Sequence, residues 1–322
     1  VSAPVLEVRD LAVGTGGRRP VEIVHGVDLV LRRGETVGVV GESGSGKSVT
    51  MLALMRLLGD PLRITRGSVR FAGRDLAALS EPEMRALRGR EIAMVYQDPM
   101  TSLHPLIRVG EQVAEVLRVH GVGTDAARER TVELFARVGI PDPARTVRAF
   151  PHEFSGGMRQ RVVIAMALAL RPTLLIADEP TTALDVTIQQ QILGLVAELQ
   201  RELGMTTIWV THDLGVVARL VERVVVMYGG HVVEDAPVRA VFAAPQHPYT
   251  ARLLASLPNP ADDARPPLAQ IPGRPPLPTE RVEGCPFRPR CPQARDVCAD
   301  RPPLLDRGPG RAACWVPVSE WT

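Results

Sequence analysis

Lysine is all but missing from this chain. Of its 38 basic residues 37 are arginine, and the only lysine is Lys47. The two cations are not interchangeable, because lysine is a compact, rotatable point charge and arginine a rigid planar fork. The one retained ammonium therefore marks a candidate site. Aromatic residues are scarce at 4%, and none precedes Phe71. Long apolar runs are also missing: the longest, 162–170, ends at Arg171, well short of the roughly 20 residues that span a bilayer. A net charge of +2 gives no footprint for nucleic acid or anionic lipid. The opening stretch, VSAPVLEVRDL, lacks the basic and apolar sections of a secretory signal. These absences point to a soluble or peripheral chain made for a cytosol.

Cysteine is missing from the first 284 residues, and all four cysteines fall between 285 and 314. Proline is uneven too: 15 of 29 lie in the last 65 residues. With 322 residues the chain can bury a large core in one to three domains of about 100–200 residues. Before Leu257 the pattern is α/β. Short apolar runs at 36–40, 173–177, 206–211 and 224–227 read as buried strands. Helical spacing follows in Met51, Leu54, Met55 and Leu58, in Val162, Ala165, Met166 and Ala169, and from about Val186 to Leu203. Alternating strands and helices predict βαβ units and a mainly parallel sheet. From about 98 to 154 helical, charged segments (110–120, 125–138) form an insertion. Between 258 and 284 eight of 27 residues are proline, which reads as an extended linker.

The segment Gly41-Glu42-Ser43-Gly44-Ser45-Gly46-Lys47-Ser48 fits the pattern G-x-x-x-x-G-K-[ST]. It lies between a strand and a helix, where its glycines let backbone N–H groups wrap phosphate oxygens at a helix N-terminus. Lys47 is placed to reach the β/γ-phosphates and the Ser48 hydroxyl to ligate Mg²⁺; Val49, next in the helix, belongs to the same set. A second apolar strand ends in Asp178 and Glu179, one carboxylate for the Mg²⁺ shell and one to polarise an attacking water. A third feature, Phe154-Ser155-Gly156-Gly157-Met158, is a glycine turn opening a helix, and Ser155 can cap it.

Together these motifs resemble the ATP-binding cassette ATPases of membrane transporters, in which the third is the signature sequence. The resemblance runs from residue 5 to about 257. It implies a P-loop core with a mainly parallel sheet, an antiparallel N-terminal β subdomain, and a helical signature subdomain at about 98–170. It assigns Gln97 to the loop that contacts Mg²⁺ and the nucleophile and reports to membrane subunits, Asp185 to the D-loop, and His212 to the γ-phosphate. It further implies two cassettes paired head to tail, the 41–48 loop of one facing Ser155, Gly156 and Gly157 of the other across ATP. Most cassettes stack adenine on an N-terminal aromatic; here the expected place reads Val13-Gly14-Thr15. Gln97-Asp98-Pro99-Met100, the signature and Gln246-His247-Pro248-Tyr249-Thr250 narrow the resemblance to the ATP-binding subunits of oligopeptide and dipeptide permeases, nickel relatives included. Expected partners are a second cassette of a different chain, two transmembrane permease subunits and an extracytoplasmic peptide-binding protein, at the cytoplasmic face of the inner membrane.

The domain reading is a cassette at 1–257 and a Pro- and Cys-rich extension at 258–322. Cys285, Cys291, Cys298 and Cys314 are spaced too widely for common zinc pairs, and a cytosolic chain disfavours disulfides. Two are followed by proline in a loop-rich tail, which suits a [4Fe–4S] cluster, as the subfamily resemblance also implies. Zinc, and free or disulfide thiols, are the alternatives. Nickel import or a non-transport cassette are the competing functions; sustained heptads of a DNA-repair cassette and the second phosphate loop of a translation type are not found in the sequence.

Overall fold

Three short segments, two almost wholly apolar and one half threonine, are buried outright. In the computed structural model, which describes all residues except 1–2, 18–19, 182–183, 258–269, 281 and 322, each of them is a strand buried at every residue. In chain order the strands are β1 (Leu6–Thr15), β2 (Glu22–Leu31), β3 (Thr36–Val40), β4 (Leu62–Phe71), β5 (Arg74–Asp75) and β6 (Ile92–Val95). Then come β7 (Leu174–Asp178), β8 (Thr206–Thr211), β9 (Arg223–Tyr228), β10 (His231–Pro237), β11 (Leu305–Arg307) and β12 (Gly310–Ala312). The fully buried three are β3, β7 and β8; the apolar runs of β3 and β7 are what a strand covered on both faces requires, and β8 buries Thr206, Thr207 and Thr211 beside Ile208, Trp209 and Val210.

Two compact units divide these elements. One contains 32–35 and 76–208, the other 6–31, 36–75 and 209–322. In the first unit β6 and β7 pair in parallel, Ile92 opposite Leu174. The helices Val109–Val119 and Thr124–Arg137 realise the helical insertion, packed through small residues Ala114, Ala127 and Ala169 around Leu117. The helix Val186–Leu203 has the bounds its periodicity predicts. Asp185 caps it by accepting from the Ile188 N–H at 2.9 Å, and it ends at Gly204, whose φ of 60° closes the last turn without a Cβ penalty.

In the second unit β2, β1, β4 and β5 form an antiparallel sheet in that order. Register shifts in β1 after Val8 and after Leu11 bend its pairing with β2. This is the antiparallel N-terminal sheet the resemblance implies. β3 pairs in parallel with β9, β9 antiparallel with β10, and β10 antiparallel with β12. The last pairing differs from the expectation of a linker and a loop-rich tail, because β11 and β12 come from the C-terminal extension and join the sheet. The described part of 258–284 carries no helix or strand, yet it is tied down: Arg290 donates to the Pro272 and Ile271 carbonyls at 2.8 and 3.2 Å. Among the described residues no helix is long and apolar enough to cross a membrane.

Candidate active site

The second unit carries the phosphate loop. β3 delivers the chain to Gly41, where a Cβ would lie 2.1 Å from the Met227 carbonyl oxygen; only glycine fits so close an approach. Gly44 and Gly46 take φ of 78° and 96°, turning the loop into the helix Lys47–Leu54. No side chain caps that helix, which leaves its N-terminus open to an anion. Lys47 is only 5% exposed. Its ammonium donates to the Gly41 and Glu42 carbonyls at 2.8 and 3.0 Å and to Ser45 Oγ at 3.4 Å. Donations from one ammonium to three convergent acceptors suit a rotatable point charge and not a planar fork. Ser45 is buried, Ser43 and Gly44 are exposed, and Ser48 and Val49 are half-buried.

A buried buttress stands behind the loop, and sequence reasoning assigned it no role. The Glu42 N–H donates to the Tyr249 hydroxyl at 2.8 Å across 207 residues. Tyr249 is fully buried and is set by the start of its own helix, Pro248–Ala255. There His247 Nδ1 accepts from the Tyr249 N–H at 3.1 Å, and buried Glu234 accepts from the Gln246 and His247 N–H groups at 2.8 and 3.0 Å. Burial raises the Glu234 carboxyl above its usual range. The only advance signal was the Gln246–Thr250 motif itself.

Burial also drives His247 down to about 3, so the folded chain holds it neutral. With the unfolded value near 6.5, the unfolded state binds the extra proton between those limits. Stability is therefore complete above the unfolded value and falls as pH drops. Acidifying from about pH 7 to about pH 5 is expected to remove on the order of 2 kcal/mol through this group. Thermal unfolding across that range checks it, with His247→Asn, which can still cap but does not titrate, showing a flatter profile.

His212 is exposed just past β8. Asp213 beside it accepts from the Gly215 and Val216 N–H groups at 2.8 and 3.3 Å, capping the helix Leu214–Leu220 and fixing where His212 leaves the strand.

The first unit carries the carboxylates. β7 ends in Asp178, 6% exposed, followed by Glu179 with φ of 45°. A left-handed glutamate costs about 1 kcal/mol or more, a strain that gathers at functional positions. Gln97 Nε2 donates to Glu179 Oε2 at 3.3 Å, so the structure brings these two predicted residues together. Ser155 caps the helix Gly156–Leu168, accepting from the Met158 N–H at 3.4 Å. Gly157 faces Ile188, whose Cγ2 would lie 2.5 Å from a Cβ at this position. The signature turn thus packs on the helix that Asp185 caps. Ala183 of the D-loop lies outside the described residues. Within the first unit Gln97 and Asp178 offer amide and carboxylate oxygens, donors of the hard kind that Mg²⁺ takes.

The four cysteines are free thiols, and three of them are buried. The Cys285 N–H donates to the Cys298 carbonyl at 3.0 Å, and Gly284 makes room, since a Cβ there would lie 2.2 Å from that oxygen. Burial pushes Cys285 up to about 11 and Cys291 to about 12, so without a metal both stay protonated and unreactive. Sulfur donors suit a soft metal or an iron–sulfur cluster. The expectation of a cluster is nevertheless not met by the geometry: among the described residues no three His, Cys, Asp or Glu side chains gather as a metal-holding set.

Residues 24–182 match the ABC transporter family, and 233–298 match the oligopeptide/dipeptide transporter C-terminal region. The chain is 50% identical over 319 residues to the oligopeptide transport ATP-binding protein OppD of Salmonella typhimurium, covering 98% of this chain and 95% of that one. It is 48% identical over 320 residues to the dipeptide transport ATP-binding protein DppD of Escherichia coli, covering 98% of each. Among solved structures, a dimeric ATP-binding cassette bound to ADP and Pi matches 73% of this chain and 99% of its own, with a TM-score of 0.65 and 29% identity. The chain belongs to the ABC ATPase family, among the ATP-binding subunits of oligopeptide and dipeptide transporters.

Proposed function

We propose that this chain is the ATP-hydrolysing subunit of a membrane importer of di- and oligopeptides. What carries the peptide reading is that the similarity continues past the cassette, through the C-terminal region at 233–298. In this reading Gly41, Glu42, Ser43, Gly44, Ser45, Gly46, Lys47, Ser48 and Val49 hold the ATP phosphates. Ser48, Asp178 and Gln97 hold Mg²⁺, which supplies charge neutralisation when bound. Glu179 takes the proton of the attacking water, Gln97 orients that carboxylate, and His212 contacts the terminal phosphate. Ser155, Gly156, Gly157 and Asp185 serve ATP held by a partner cassette of a different chain; the place of the first three at the N-terminus of the helix Gly156–Leu168, an end that favours an anion, supports this.

Two transmembrane permease subunits and an extracytoplasmic peptide-binding protein complete the assembly, with this chain peripheral on the cytoplasmic face. Supporting a docking role, Tyr96, Met100, Leu106 and Ile107, which flank or follow Gln97, expose apolar side chains. The division into a cassette at 1–257 and an extension at 258–322 belongs to the same proposal. So does a [4Fe–4S] cluster on Cys285, Cys291, Cys298 and Cys314, which rests on donor chemistry. Chain purified anaerobically is expected to be brown and to lose colour when any of the four is replaced; a colourless, zinc-loaded chain would end that assignment.

The test of the importer reading is ATP hydrolysis by the complex purified from membranes, with and without binding protein loaded with short peptides. Peptide-dependent stimulation is the expected result. A membrane complex indifferent to peptides would move the assignment to nickel or another solute, and the lack of any membrane partner would overturn it.

A further inference from the structure

The phosphate loop is held from the C-terminal extension as well as from Tyr249. Arg290, next to Cys291, forms a two-toothed ion pair with Glu42, the second residue of the loop: Nη1 donates to Oε2 at 2.7 Å and Nη2 to Oε1 at 3.1 Å. The arginine side chain is only 6% exposed and the glutamate 25%. The remaining donors of the fork are satisfied by the Tyr228 hydroxyl at 3.1 Å and by the Pro272 and Ile271 carbonyls. Planar bidentate pairing of this kind fixes orientation as well as charge.

A second line of contact runs in parallel. Phe287 is fully buried and meets Tyr228 and Tyr249 edge-on at 5.2 and 5.4 Å. Pro276 and Pro286 flank Gly229, and the adjacent Gly230 N–H donates to the Ser45 carbonyl of the loop at 3.1 Å. Pro276, Leu277 and Glu280 also border a cavity of about 820 Å³ whose other walls include Gly44 of the loop and Gly14 and Thr15.

We propose that Arg290 is a positioning residue for the phosphate loop, so that the C-terminal extension sets the affinity of this subunit for ATP. The proposal rests on the reading of 41–48 as the ATP loop. The reasoning is one of charge and shape. Glu42 puts a carboxylate on a loop whose task is to receive a polyanion, and a like charge there opposes binding. Arg290 cancels that charge and, with Tyr249, clamps both the side chain and the backbone N–H of Glu42. Without Arg290 the carboxylate is left uncompensated and the loop loses its bidentate anchor to the C-terminal extension.

The test uses the full-length chain titrated with a fluorescent ATP analogue carrying an N-methylanthraniloyl group, with metal content and thermal unfolding recorded for each variant. Arg290→Ala is expected to weaken binding about tenfold, the order expected for a lost charge-assisted pair. In the assembled complex it should raise KM for ATP by a similar factor and leave kcat within about twofold. Arg290→Ala combined with Glu42→Gln should recover most of the affinity, because no unpaired charge remains; this non-additivity separates positioning from general loosening. Unchanged affinity in Arg290→Ala, a double variant as weak as the single, or losses that track unfolding would each overturn the proposal. If the wild-type chain bound the analogue no better than Lys47→Ala does, the ATP-loop reading itself would fail.

Discussion

Replacing Glu179 with glutamine is expected to reduce ATP turnover about a thousandfold, within the range for removal of a general base, while ATP still binds. Glutamine has nearly the same size and shape, and its amide oxygen can still accept from Gln97 Nε2, which reaches Glu179 at 3.3 Å. The backbone strain at φ of 45° is the same for either residue, so the change isolates the proposed proton acceptor. With hydrolysis blocked, ATP that bridges two cassettes persists, and the variant should accumulate as a closed dimer with its partner cassette on size exclusion. Rates within about tenfold of wild type would remove Glu179 as the base, since even the lower end of such effects is a hundredfold.

Lys47→Arg is the second large effect. Charge is conserved, yet kcat/KM for ATP is expected to fall about a hundredfold or more, the scale of losing one well-placed donor to developing charge. The physical ground is the pocket itself. The ammonium is 5% exposed and sits within 3.4 Å of three loop acceptors. A guanidinium is larger, planar and unable to rotate its donors among those acceptors. Phosphate binding by the 41–48 loop should weaken along with turnover, which equilibrium titration would read directly. Near-normal affinity and rate would show that the retained lysine has another cause.

What the sequence made legible was local. The strand at 36–40 and the helix at 186–203 stand where periodicity puts them. The strand at 173–177 shifts by one residue to end at Asp178, while its pairing with β6 spans Leu174 to Ala177. The phosphate loop, the paired carboxylates and the signature turn were visible because each is a short run of residues with its own chemistry. The buttress behind the loop was not. Tyr249 and Arg290 meet Glu42 across 207 and 248 residues, and no spacing rule links positions so far apart. Likewise β11 and β12, three residues each, are too short to show a period, and their strand character comes from pairing with each other and with β10.

That pairing changes what the C-terminal extension is. Glu234 and Asp235 of β10 lie opposite Ala312 and Arg311 of β12, the Ala313 N–H donates to the Val233 carbonyl at 2.8 Å, and Arg311 joins Arg223 on the Asp235 carboxylate. A chain cut at the end of the cassette would present β10 as a bare sheet edge, a template for pairing with other chains, with one cation gone from a buried carboxylate. The segment is therefore a structural closure, a hem sewn onto the sheet. This chain trimmed of its extension would be an unfinished protein, prone to self-association.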